Sequence, residues 1–108
     1  MACCVLRYED MHGDAMATFT RAATFLGCPV DPARIAKAIR FSQFEILAGQ
    51  EEEKGFRERP RKEDRFFRQG KSGNWRNELG NDQVDRIVAA HGAMMRRFGY
   101  LDEAGEPV

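Results

Sequence analysis

The chain has 108 residues, of which 17 are Lys or Arg and 17 are Asp or Glu, so its formal net charge is zero. This length allows at most one small domain, and the charge balance excludes a global field that would attract polyanions or membranes. The hydrophobic share of 43% is typical of a globular protein, and no apolar run approaches the length of a membrane span.

The first predicted element is a short buried strand at residues 3–8. Val5 and Tyr8 in this apolar segment favour extended structure. A lone strand leaves both of its edges unpaired, so it needs a sheet that the rest of this sequence hardly supplies. We therefore expect a mostly α chain with one short N-terminal strand, and we expect a missing part upstream.

Two helices are predicted next. Asp14 is placed to cap a helix that ends at Gly27, and Asp31 caps a second helix that has Pro32 at its first position. Residues 42–47 predict a further short helical turn. We expect this turn to end at Gly49.

Residues 50–64 are almost wholly charged and contain Gly55 and Pro60, which predicts a mobile loop. A last helix is predicted from about Asn81 to Phe98, because its apolar residues recur at helical spacing. They are Val84, Ile87, Val88, His91, Met95 and Phe98. The tail, residues 102–108, is expected to be frayed.

Outside these elements the titratable residues predict no metal or catalytic site. The three successive glutamates at 51–53 are interpreted as a solvated acidic run, since neighbouring side chains cannot converge on one ion. Three cysteines without a C-x-x-C pair form neither a disulfide framework nor a zinc site. The odd cysteine count and the absence of a signal peptide predict a cytoplasmic protein.

Positive charge is concentrated in the segment from Lys54 to Arg76. This segment has nine Lys or Arg against three acidic residues, a local charge of +6. Its end, FFRQGKSGNWRN, interleaves cations with aromatics and glycines. Glycines bring backbone N–H groups close to an anion, and Arg presents a planar fork to phosphate oxygens. Phosphate or nucleotide binding and a structural turn both remain open, and single-stranded nucleic acid is disfavoured because the loop is compact rather than extended.

Four segments in order resemble the cytosolic sulfotransferases, which use 3′-phosphoadenosine 5′-phosphosulfate (PAPS). RQGKSGNW, residues 68–75, resembles the R-K-G-x-x-G-x-W signature near the C-terminus of that family. LRYEDM (6–11), ATFLG (23–27) and FSQFEIL (41–47) resemble earlier stretches of it. The resemblance covers about residues 5–98 and implies the C-terminal part of a P-loop α/β sulfotransferase fold.

This resemblance implies a cofactor site made of Tyr8, Ser42, Phe44, Arg68, Gln69 and Gly70. Residues 68–70 would cradle the 3′-phosphate of the nucleotide, and Phe44 would stack on the adenine. Ser42 and Tyr8 would hydrogen-bond near the adenine. Gln69 stands where the family usually has Lys, and Lys71 is a candidate replacement for that charge.

The whole family member would transfer a sulfuryl group from PAPS to a small-molecule hydroxyl or amine. Its P-loop and catalytic His would lie upstream of this sequence, so we assign no catalytic residue and expect this chain alone to be inactive. The acceptor cannot be inferred. Expected partners are the nucleotide cosubstrate and either a missing N-terminal half or a second copy of the chain, but not a membrane or nucleic acid.

Two other functions remain open. A non-enzymatic interaction module could use the basic loop, residues 54–76, to contact a nucleotide or a nucleic acid. A small helical domain that oligomerises would need no ligand at all.

Overall fold

A computed structural model describes residues 1–62 and 65–108. Glu63 and Asp64, which end the predicted mobile loop, lie outside the described residues. The chain divides into two compact units, Met1–Ser72 and Gly73–Val108, and each is described by itself. The helices of the described residues are α1 (Tyr8–Gly13), α2 (Ala15–Phe25), α3 (Pro32–Phe41), α4 (Phe44–Lys54), α5 (Trp75–Glu78) and α6 (Asn81–Arg97).

The predicted N-terminal strand is wrong, although the mostly α prediction is confirmed. Residues 1–7 belong to no helix or strand, and Tyr8 begins α1. In the described part of the chain the one β-pairing is an isolated bridge between Leu101 and Pro107, so no neighbour supplies a ladder for a first strand. The Val5 carbonyl accepts a hydrogen bond from the Arg21 guanidinium of α2 instead.

Both predicted capping aspartates are confirmed in the first unit. Asp14 Oδ1 accepts the Ala17 N–H at 3.1 Å, and Asp31 Oδ1 accepts the Ala33 N–H at 3.0 Å. These carboxylates satisfy amides that have no partner within the first turn of a helix. The side chain of Thr18, a buried residue of α2, donates to a carbonyl of α1 and so ties these two helices together.

Helix α4 is longer than predicted. It continues through Gly49 to Lys54, and the chain leaves the helix at Gly55, whose φ is +72°. The glutamates at 51–53 are strong helix formers, and a single helical glycine costs only about 1 kcal/mol relative to alanine. The loop that the sequence placed from residue 50 therefore begins at Gly55, and its mobility stays a prediction.

In the second unit α6 follows the prediction to within one residue at its end. Val84, Val88 and Met95 are half-buried along one stripe, whereas His91, which the sequence placed on that stripe, is exposed. The tail folds back on itself, with the Asp102 N–H donating to the Glu106 carbonyl at 2.9 Å, and its fraying stays a prediction. Leu101 is buried beside this turn.

The chain exposes more surface than a compact protein of its mass, and large apolar side chains are part of that surface. The chain exposes 9085 Å², whereas a compact chain of 12.3 kDa exposes about 6,100 Å² and two separate units of the same total mass about 7,300 Å². The exposed apolar side chains include Phe25, Leu26, Val30, Phe41, Ile87 and Met94. None of the helices in residues 1–62 and 65–108 is both long and apolar enough to cross a membrane.

Candidate functional site

Gly70 lies directly against the Phe44 ring in the first unit. Its φ is +62°, a conformation that side chains other than glycine rarely adopt. A Cβ at this position would overlap the Phe44 ring and would lie 2.9 Å from the Phe44 Cβ. Only glycine therefore lets the backbone of residues 65–70, which we name the Gly70 loop, approach the first residue of α4 so closely.

Aromatic side chains anchor the start of this loop. Phe66 and Phe67 lie with their ring centroids 5.1 Å apart, and each contacts Phe56, at 4.7 and 5.0 Å. Phe44 meets Phe67 edge-on at 6.4 Å. Edge-to-face pairs of this kind are each worth about 0.5–1.5 kcal/mol beyond the area that they bury. The cluster therefore holds the loop against both Phe44, the first residue of α4, and Phe56, which follows its C-terminal end.

The cations in and around the Gly70 loop are exposed to solvent. All Lys and Arg side chains of residues 54–71 in the structure are exposed. The Arg68 guanidinium makes no ion pair or hydrogen bond with any described residue, and the Arg68 carbonyl accepts a long contact of 3.5 Å from Arg65. Gln69 and Lys71 are exposed as well.

The remaining two predicted site residues are less closely tied to the loop. Ser42 is the exposed residue that ends α3, and it precedes Phe44 by two positions. Tyr8 packs its ring edge-on against His12 at 4.6 Å. No hydrogen bond or ring contact within the described residues joins Tyr8 or Ser42 to residues 68–70. The structure thus brings Phe44 together with the loop, whereas the one ring contact of Tyr8 among the described residues is with His12.

Glu51 is the site residue that the sequence analysis missed. Its side chain is only 4% exposed; Oε1 accepts the Phe66 N–H at 2.7 Å and Oε2 accepts the Phe67 N–H at 3.0 Å. The predicted solvated acidic run is therefore wrong at Glu51, although Glu52 and Glu53 are exposed. Continuing the helix past Gly49 would have revealed it, because Glu51 then follows half-buried Leu47 at a spacing of four.

These hydrogen bonds lower the pKa of Glu51 from its ordinary value of 4.5. The Phe66 amide is the largest cause; burial acts in the opposite direction, and the Phe67 amide, Arg59 and Arg65 lower the pKa further. No group of three or more His, Cys, Asp or Glu side chains in residues 1–62 and 65–108 is placed to hold a metal ion. Both oxygens of the Glu51 carboxylate instead accept backbone N–H groups of the Gly70 loop.

This pKa direction gives a prediction for stability at acid pH. A carboxyl group whose pKa is lowered on folding stabilises the fold above its unfolded pKa, and that stabilisation is lost as the pH falls through the folded pKa. We expect the melting temperature to fall more steeply between about pH 5 and pH 3 in the wild type than in Glu51→Gln. Circular dichroism melting curves measure this, with Glu52→Gln as the control that should follow the wild type. Parallel curves for the wild type and Glu51→Gln would contradict it.

Residues 2–99, nearly the whole chain, match the family model described as the sulfotransferase domain. The chain belongs to the sulfotransferase family. It is similar to the flavonol 3-sulfotransferase of Flaveria bidentis, at 33% identity over 92 residues that cover 76% of this chain and 30% of that enzyme. It is also similar to cytosolic sulfotransferase 17 of Arabidopsis thaliana, at 32% identity over 89% of this chain and 31% of the relative.

A third similar sulfotransferase is cytosolic sulfotransferase 15 of Arabidopsis thaliana, at 37% identity over 78% of this chain and 25% of the relative. The chain therefore spans between a quarter and a third of the length of these curated sulfotransferases. No solved structure matches the chain significantly.

Proposed function

We propose that this chain is the C-terminal portion of a cytoplasmic sulfotransferase and forms the 3′-phosphate side of its PAPS site. The observation that carries the proposal is the contact between Gly70 and the Phe44 ring. This contact puts a loop whose Arg68 guanidinium is exposed, with no bonding partner among the described residues, beside an aromatic ring that can stack on adenine. Membership of the sulfotransferase family supports a sulfated nucleotide as the ligand.

Each residue of the loop has a distinct part in holding the nucleotide. The Arg68 guanidinium presents paired N–H donors that match two phosphate oxygens. Gln69 supplies a neutral donor in place of a charge, and the positive φ of Gly70 lets the backbone approach the phosphate. Phe44 is half-buried, and its ring would stack on the adenine.

The bound nucleotide would supply the sulfuryl group that the whole enzyme transfers to a hydroxyl or amine. The residues of this chain would contribute by positioning the nucleotide and neutralising its phosphate. Because they form one side of a site, we expect binding of adenosine 3′,5′-bisphosphate in the millimolar to high micromolar range, about −4 to −6 kcal/mol.

Arg68→Ala is expected to weaken this binding about tenfold or more, because it removes charge-assisted hydrogen bonds worth about 1.5–3 kcal/mol. Isothermal titration calorimetry with adenosine 3′,5′-bisphosphate measures the change. Arg68→Lys keeps the charge without the planar fork and should fall between the wild type and Arg68→Ala. Arg86→Ala, which removes an exposed cation from α6, is the matched control and should leave the affinity unchanged.

Three results would contradict the proposal. Indifference to Arg68→Ala would remove the loop from the site, and submicromolar binding would show that the site is complete rather than partial. A single-stranded oligonucleotide that binds more tightly than the nucleotide would instead favour an interaction module built on the basic loop, residues 54–76.

A further inference from the structure

We propose that Glu51 is a positioning residue for the Gly70 loop: its buried carboxylate fixes the backbone at Phe66 and Phe67 and so presets residues 68–70 for the phosphate. This inference rests on the proposed function. Glu51 itself would not touch the nucleotide, since both of its oxygens already accept backbone N–H groups of the loop.

The loop has little else to fix its backbone. No backbone–backbone hydrogen bond of the described residues outside the helices and strands involves residues 65–72. The aromatic cluster holds the side chains of Phe66 and Phe67, but side-chain packing alone leaves the two peptide planes free to rotate. Glu51 removes this freedom because each of its oxygens accepts one of two successive amides, at 2.7 and 3.0 Å.

Burial makes this interaction difficult to replace. The Glu51 side chain is 4% exposed, so few water molecules reach the Phe66 and Phe67 N–H groups that donate to it. It extends from α4, the helix whose first residue is Phe44. The same helix thus carries the ring at the adenine position and the carboxylate that orients the phosphate-binding residues, which fixes the two parts of the site relative to each other.

The charge of Glu51 makes the direction of its effect diagnostic. A negative side chain near an anion site repels the phosphate, so on Coulomb grounds alone its neutralisation should tighten nucleotide binding. Positioning predicts the opposite, because a neutral amide accepts a single weaker hydrogen bond and releases part of the loop. The two explanations therefore differ in the sign of one measurement.

The test titrates the full chain with adenosine 3′,5′-bisphosphate by calorimetry. Glu51→Gln is expected to weaken binding about three- to tenfold, the effect of exchanging charge-assisted hydrogen bonds for neutral ones. Glu52→Gln removes the same charge from the exposed neighbouring position and should leave the affinity unchanged or slightly tighter. Binding by Glu51→Gln that equals or exceeds the wild type would overturn the inference.

A double variant separates positioning from general destabilisation. In an Arg68→Ala background, Glu51→Gln should change the affinity less than about twofold, because Glu51 acts through the loop that carries Arg68. Hydrogen exchange at the Phe66 and Phe67 amides should accelerate in Glu51→Gln more than exchange at the α2 amides. Fully additive losses, or a uniform acceleration of exchange, would overturn the positioning role.

The same experiments distinguish this inference from the proposed function. If the wild type shows no Arg68-dependent binding, the nucleotide site is wrong and the positioning role fails with it. If binding depends on Arg68 but not on Glu51, the nucleotide site stands and only the role of Glu51 is wrong.

Discussion

Gly70→Ala is expected to destabilise the first unit by about 2–5 kcal/mol and to abolish measurable nucleotide binding. Placing a side chain in the left-handed conformation costs about 1–2 kcal/mol. Overlap of the new Cβ with the Phe44 ring adds about 1–3 kcal/mol, because the ring or the loop must move. Movement of either one separates the adenine position from Arg68. Urea unfolding and nucleotide titration measure the two effects.

Two other glycines supply matched controls for Gly70→Ala. Gly27 has a φ of +71°, but a Cβ there would meet nothing within 4 Å, so Gly27→Ala should cost only the conformational term of about 1–2 kcal/mol and leave binding intact. Gly49 is helical and equally open, so Gly49→Ala should stabilise α4 by about 0.5–1 kcal/mol. If Gly70→Ala cost no more than Gly27→Ala, the contact with Phe44 would not constrain the loop.

We expect the isolated chain to self-associate, with a measured mass at least twice its 12.3 kDa. Its 9085 Å² of exposed surface exceeds the area expected for two separate compact units by about 1,800 Å², which is the area that a standard protein interface buries in total. Large apolar side chains contribute to this surface, among them Phe25, Leu26 and Phe41, and large apolar patches seldom stay in water on a monomer. Light scattering across a range of concentrations measures the mass, and a concentration-independent monomer would contradict the expectation.

Helix α6 offers a way to localise that association. Ile87 and Met94 are 40% and 55% exposed and lie seven residues apart, so they share one face of the helix. Ile87→Lys/Met94→Lys should raise the monomer fraction if this face is buried between copies. Ala89→Lys/Ala93→Lys adds the same charge to exposed positions elsewhere on α6 and should leave the mass unchanged. Equal effects of the two double variants would indicate charge repulsion rather than loss of an interface.

The helices that the sequence predicted correctly depend on local signals. Asp14 and Asp31 cap amides two or three residues away, so their patterns are legible without a tertiary structure. The strand at residues 3–8 failed because strand formation needs a partner that local propensity cannot supply. The predicted stop at Gly49 failed because a glycine ends a helix only where the backbone needs a positive φ, as at Gly55.

The candidate site could be predicted only in part, because some of its contacts join residues that are distant in the sequence. The sequence alone identified the cations and glycines of the basic segment as a candidate anion site. The family resemblance then placed Phe44 in the same site as residues 68–70. Glu51 has its partners 15 and 16 residues away, and those partners are backbone amides, which any residue except proline provides. Composition therefore could not distinguish Glu51 from its exposed neighbours Glu52 and Glu53.

The carboxylate of Glu51 also affects where inorganic anions from a buffer can bind to this chain. It already occupies the amides of Phe66 and Phe67, so a sulfate or phosphate ion from a buffer finds those two donors taken by a tethered anion. We expect free ions to compete with the nucleotide further along the loop, at Arg68 and the residues after it. The Glu51 carboxylate thus excludes dissolved anions from the amides of Phe66 and Phe67 and leaves the later residues of the loop for them.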